Sequence, residues 1–225
     1  DMDALERVLS RCEYDKIKLI AIDGVFSMEG DIANLPKIVE LAEKYNASIM
    51  VDDAHGLGVL GQNGSGTSNH FGLTDKVDLI MGTFSKSLAS IGGFIAADLD
   101  TINYLKHNAR SLIFSASIAP ANAASVIAAV DLIQKEPERI QRLWDNTHYA
   151  MAALKKAGFD TGHSVTPIIP ILIRDDYKTF QLTKIALERG IFVNPVVSPA
   201  VPSTSSLIRY SLMATHTTAQ IDESV

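Results

Sequence analysis

Four short apolar runs, residues 18–22, 48–52, 77–81 and 93–97, each stop abruptly at glycine or at a polar side chain. Between the first two lies a segment with the apolar spacing of a helix, Ile38, Val39, Leu41, Ala42 and Tyr45, with Pro36 near its first turn, where a missing N–H does no harm. Runs this short that alternate with amphipathic helices define a mainly parallel α/β sheet, and such sheets gather their ligand sites at the carboxyl ends of the strands. The residues found there, Asp52 and Lys86 among them, are the first place to look for chemistry.

The pattern changes after Pro120. Two long helical segments, residues 121–134 and 137–157, lead to a shorter strand–helix–strand series at 168–173, 179–189 and 207–211, with a Pro/Ser-rich loop at 195–206. The expected organisation is residues 1–135 as the carboxyl-terminal portion of a large domain and residues 136–225 as a small α/β domain.

Several function classes fall away on composition. A net charge of −6, with no Lys/Arg block, offers nothing to neutralise a nucleic-acid backbone, so no nucleic-acid partner is expected. The single cysteine, Cys12, cannot form an intramolecular disulfide, and no Cys or His pair has metal spacing, so no metal site is expected. These features suit a reducing cytoplasm. The most apolar stretch, residues 117–133, is interrupted by Pro120, Asn122 and Asp131 and reads as a packed helix, so no integral membrane span is expected.

Gly56-Leu57-Gly58-Val59-Leu60-Gly61 matches the GxGxxG dinucleotide pattern literally. That fingerprint needs its glycines to open a helix, whereas residues 62–69 form a coil-prone Gln-Asn-Gly-Ser run. The better expectation is a surface loop whose glycines permit tight turns.

Pyridoxal phosphate asks a protein for an amine, a carboxylate at the pyridine nitrogen, donors for the ring oxygen and phosphate, and a cation for the substrate carboxylate. Each is available. Lys86 follows a buried run within a turn containing Thr83 and Ser85, whose hydroxyls suit a phosphate. Asp52 ends a strand beside Asp53, and because strand side chains alternate, only one of the two aspartates should face a given site. His55 stands three residues beyond Asp52. Singly, each has an ordinary reading: a solvated lysine, a helix-capping aspartate, a histidine satisfied in a turn. Their combination is what shifts the balance.

In order along the chain, Asp23-Gly24-Val25-Phe26-Ser27-Met28-Glu29-Gly30-Asp31, Val51-Asp52-Asp53-Ala54-His55-Gly56, Gly82-Thr83-Phe84-Ser85-Lys86-Ser87, Phe114-Ser115-Ala116-Ser117 and Ile208-Arg209-Tyr210-Ser211 resemble the motifs of the α-oxoamine synthases. These are fold-type I pyridoxal phosphate enzymes that condense an amino acid with an acyl-CoA and release carbon dioxide. The resemblance implies that Lys86 holds the cofactor as a Schiff base and acts as the base, with Asp52 as pyridinium partner and His55 and Ser27 near the ring oxygen. It further implies phosphate contacts from Thr83 and Ser85, with Ser115 and Ser117 reaching the phosphate of the neighbouring subunit of a homodimer. Arg209 matches the arginine that binds the substrate carboxylate, a task suited to a planar guanidinium.

The Gly-Thr-Phe-Ser-Lys-Ser turn is closer to members using L-serine with a long-chain acyl-CoA, which make a 3-keto sphingoid base, than to the Gly-Thr-Leu-Gly-Lys-Ala form of glycine-using relatives. Glycine or alanine with a shorter acyl-CoA remains the alternative. Arg110-Ser111-Leu112-Ile113-Phe114 departs from the Pro-Tyr often found after that arginine. Family members are considerably longer, so an N-terminal portion with a ring-stacking histidine is expected outside these residues. An enzyme making a lipid can also touch the inner membrane peripherally, although no basic amphipathic helix is evident.

Overall fold

The computed structural model describes residues 1–225, which divide into two compact units, one of residues 1–25 and 33–136, the other of residues 26–32 and 137–225. In the first unit, α1 (Met2–Leu9) leads to β1 (Leu19–Asp23), α2 (Leu35–Tyr45) and β2 (Ser48–Asp52). Asp1 caps α1 by accepting from Ala4 N, and Asn34 caps α2 by accepting from Lys37 N. Asn46 then adopts a left-handed conformation (φ 51°) that ends α2. Strand β1 starts one residue later than expected, because Lys18 is buried and its ammonium donates to the carbonyls of Glu13, Tyr14 and Lys16.

Helix α2 buries Leu35, Ile38, Val39, Leu41 and Ala42 and packs on β2, which buries Ile49 and Val51. Each such fully buried aliphatic side chain contributes about 1.5–3 kcal/mol. Strands β1, β2 and β3 (Leu79–Thr83) pair in parallel, and β4 (Gly93–Ala96) runs antiparallel to β3, giving the order β1-β2-β3-β4. Strand β3 lies two residues beyond the expected 77–81, because Gly82 and Thr83 extend the ladder by pairing with Phe94 and Gly93. The unit is completed by α3 (Thr67–His70), α4 (Leu99–Asn108), α5 (Arg110–Ile113) and α6 (Pro120–Lys135). No helix is long and apolar enough to cross a membrane.

In the second unit, α7 (Glu138–Lys156), α8 (Asp176–Glu188) and α9 (Thr218–Ser224) accompany an antiparallel sheet of β5 (Ile168–Leu172), β7 (Leu207–Ser211) and β6 (Asn194–Val196), with β7 in the centre. Its core joins Ala150 and Leu154 of α7, Ile169 of β5, Tyr210 of β7, Leu212 just beyond that strand, and Ile221 of α9. Strand β6 lies where a loop was expected. Segment 26–32, expected with the first unit, belongs to the second because its backbone is gripped there. The Gly30 carbonyl accepts from Ser164 Oγ (3.3 Å) and Thr166 Oγ1 (2.8 Å), and the Ser27 carbonyl accepts from Arg209 Nε (2.6 Å).

Candidate active site

The parallel register sets Asp23 directly beside Asp52, so the last residues of β1 and β2 both carry carboxylates on one edge of the sheet. Asp52 is half-buried and accepts from Ala54 N at 3.0 Å through Oδ1. Asp53 turns the other way and is buried, its Oδ1 accepting from Thr67 Oγ1 (2.6 Å) and its Oδ2 from Thr67 N (2.7 Å). Strand alternation thus separates the neighbours into one carboxylate committed to the core and one at the sheet edge.

Glycines surround the committed one. A Cβ on Gly56 or Gly66 would stand 1.9 Å from an Asp53 carboxylate oxygen, and one on Gly24 would stand 2.8 Å away. The GxGxxG stretch therefore packs against a buried side chain. It opens a single 3-10 turn at Gln62–Gly64 and the four-residue α3, not a helix with a free phosphate-binding end.

Lys86 is exposed in the loop joining β3 to β4. Before it, the hydroxyls of Thr83 and Ser85 lie 2.9 Å apart, Ser85 N donates to Thr83 Oγ1 (3.3 Å), and Thr83 Oγ1 donates to the Gly92 carbonyl (3.3 Å). The two hydroxyls form one polar corner at the end of β3. His55 is half-buried in the turn after β2, closed by Gly56 N and Leu57 N donating to the Asp53 carbonyl.

One titratable group was not found by sequence reasoning. The Asp23 carboxyl is pushed up by partial burial first and by the adjacent Asp52 carboxylate second, while the Lys86 ammonium pulls it down. Asp23 and Asp52 thus end adjacent parallel strands, and the Asp23 carboxyl responds to both the Asp52 carboxylate and the Lys86 ammonium. Its signal was an acidic residue ending a strand, as Asp52 does, but strand order is needed to see the two side by side.

Ser27 and Arg209 meet in the second unit. Arg209, on the central strand of its sheet, donates from Nε to the Ser27 carbonyl (2.6 Å) and from Nη1 to Ser211 Oγ (2.6 Å). Partial burial disfavours the charge of its guanidinium, a cost that a carboxylate partner would relieve. Ser115 and Ser117 lie in the exposed segment between α5 and α6, and Ser115 Oγ donates back to the Ser111 carbonyl.

An amine, a carboxylate pair, an imidazole and two hydroxyls thus stand at the carboxyl ends of a mainly parallel sheet, the place where α/β folds gather ligand sites. The chain belongs to the aminotransferase class I and II family, whose model matches residues 1–225. Its relatives are more particular. A serine palmitoyltransferase of Sphingobacterium spiritivorum is 61% identical over 225 residues, covering 100% of this chain and 56% of the relative. An 8-amino-7-oxononanoate synthase of Thermosipho melanesiensis is 47% identical over 222 residues, covering 99% of this chain and 57% of the relative. Among solved structures, a serine palmitoyltransferase from S. paucimobilis with bound PLP–myriocin superposes with a TM-score of 0.94 at 32% identity, covering 99% of this chain and 56% of that one. The chain spans little more than half the length of the curated relatives it matches. Both the α/β architecture and the family resemblance read from the motifs are borne out.

Proposed function

We propose that this chain is the catalytic-lysine portion of a pyridoxal phosphate-dependent acyltransferase that condenses L-serine with a long-chain acyl-CoA, palmitoyl-CoA in the first instance, with loss of carbon dioxide. The observation that carries the reading is the 61% identity to a serine palmitoyltransferase over all 225 residues of the chain. A second reading, glycine or alanine condensed with a shorter acyl-CoA in an 8-amino-7-oxononanoate synthase-like reaction, draws on the 47% identity to that enzyme. It differs in substrates and not in the chemistry assigned to these residues.

The donor set fits the cofactor. Lys86 offers an exposed amine, Asp52 a half-buried carboxylate with one oxygen bonded to a backbone N–H, and Thr83 with Ser85 a paired hydroxyl corner. When bound, pyridoxal phosphate supplies an electron sink for the charge that develops at the substrate α-carbon. Lys86 Nζ would hold the cofactor and would serve as the base for the α-proton. The Asp52 carboxylate would favour a proton on the pyridine nitrogen. His55 and Ser27 would hydrogen-bond the ring oxygen, while Thr83 and Ser85 would hold the phosphate. Arg209 binds the serine carboxylate with a planar fork of donors.

Ser115 and Ser117 complete the phosphate site of a second subunit, so the working form is a homodimer. Residues 1–135 act as part of the cofactor-binding domain and 136–225 as the small domain. The enzyme works in the cytoplasm, with peripheral contact at the inner membrane where its lipid product leaves.

The test is a spectral titration of the purified full-length protein with serine, glycine and alanine, followed by product analysis with palmitoyl-CoA. A visible absorbance band that responds to serine most strongly, and a 3-keto product, are expected. No visible band, or full turnover by Lys86→Ala, overturns the reading.

A further inference from the structure

The loop 84–92 that carries Lys86 is closed on itself. Phe84 N donates to the Gly92 carbonyl (2.9 Å), Ser90 N to the Phe84 carbonyl (2.8 Å) and Ala89 N to the Lys86 carbonyl (3.0 Å), and Ala89 takes a φ of 47° to allow it. These bonds fold the loop on itself, and they last only while the loop stays seated. Three side chains fix the seat. Leu88 is buried, and Ser90 Oγ donates to the Asn122 carbonyl at 3.2 Å and accepts from Asn122 Nδ2 at 3.3 Å. Ser87 Oγ donates to the Leu57 carbonyl at 2.7 Å, and of the three only Ser87 is adjacent to Lys86.

Opposite Ser87 the chain leaves space that only glycine can leave. A Cβ on Gly58 would stand 2.6 Å from Ser87 Cβ and 2.8 Å from Ser87 Oγ, and Gly58 has a φ of 75°. Its N–H is tied to the Gly64 carbonyl (2.8 Å), so the loop presenting the Leu57 carbonyl is itself held. The second glycine of the dinucleotide-like pattern thus brings a backbone carbonyl within reach of the residue after the lysine.

We propose that Ser87 is a positioning residue for Lys86. Its hydroxyl, seated against Gly58 and bonded to the Leu57 carbonyl, clamps the 84–92 loop to the 56–61 loop. A lysine side chain turns about four single bonds, so its amine is confined only as well as its backbone is. A displacement of about 1 Å at a reacting group costs up to about a hundredfold in rate. What the amine does once placed rests on the function proposed above; the clamp itself does not.

The test compares full-length holoenzyme with its Ser87→Ala variant by amide hydrogen exchange and by steady-state kinetics. Loss of one hydrogen bond should speed exchange at Ala89 and Ser90 about tenfold, with the Ile49 and Val51 amides of β2 unchanged. The value of kcat should fall roughly tenfold or more, with KM for serine within about twofold. Unchanged exchange in the loop, or an unchanged kcat, overturns the clamp. Absence of a borohydride-fixed cofactor on Lys86 in the unsubstituted enzyme overturns the functional reading instead, and the exchange comparison still decides the clamp.

Discussion

Thr67 satisfies both oxygens of Asp53, one through its hydroxyl at 2.6 Å and the other through its backbone N–H at 2.7 Å, inside a nest formed by Gly24, Gly56 and Gly66. Thr67→Val keeps the shape and the backbone bond but leaves one buried carboxyl oxygen without its hydroxyl partner. Stability should fall by about 1–3 kcal/mol, measured by urea unfolding. Unchanged stability would show that the pair carries no weight.

The same pair sets a pH dependence. Burial raises the Asp53 carboxyl above its ordinary range, against the two Thr67 bonds that lower it. A raised folded-state value means that the folded chain holds the proton more tightly than the unfolded one. That contribution to stability is fully present below the ordinary carboxylate range and is lost as pH rises through the raised value. Asp53→Asn can accept from Thr67 N and donate to Thr67 Oγ1, so its unfolding free energy should decline less between about pH 4 and pH 7 than that of the parent chain. Identical slopes would refute the assignment.

Gly56→Ala places a Cβ where it would meet Asp53 Oδ1 at 1.9 Å. The carboxylate is held by Thr67 and cannot swing clear, so a loss of about 1–3 kcal/mol is expected from thermal or urea unfolding. Gly72→Ala is the control for space, since nothing lies within 4 Å of its Cβ position, although its φ of 67° carries a separate backbone cost.

Lys86→Ala should abolish borohydride-dependent attachment of the cofactor and lower kcat/KM by at least about a hundredfold. The side chain is exposed, so the melting temperature of the cofactor-free protein should hardly move. A variant that melts early would mean that the loss of rate is structural.

Arg209→Lys keeps a positive charge but loses the fork. KM for serine should rise about tenfold with a smaller change in kcat. Loss of the Nε bond to the Ser27 carbonyl should also loosen segment 26–32, visible as faster exchange at Gly30, whose amide donates to the Phe26 carbonyl. Unchanged KM would remove Arg209 from the substrate site.

Much of this was legible in the sequence because it depends on local period. β2 and β7 fall on the apolar runs expected for them, and the Asp52–Asp53 pair divides as strand alternation requires. Pairing between distant segments was not legible. β6 is three residues long and contains Pro195, so it leaves no run to recognise and exists through its ladder to β7. Segment 26–32 joins the second unit through hydroxyls more than 130 positions away, a distance no local pattern spans. Asp23 became a member of the site only when β1 was seen to pair with β2.

The division of labour between Asp52 and Asp53 makes β2 intolerant of any change in length. Adding or removing one residue between positions 48 and 53 would exchange the two faces, sending the edge carboxylate into the glycine nest and its partner out. Length variation among descendants of this chain should therefore collect outside the strand, in the turn that follows the left-handed Asn46, where an extra residue alters no side chain's direction. Two adjacent letters of the same kind act as a reading frame written into the fold.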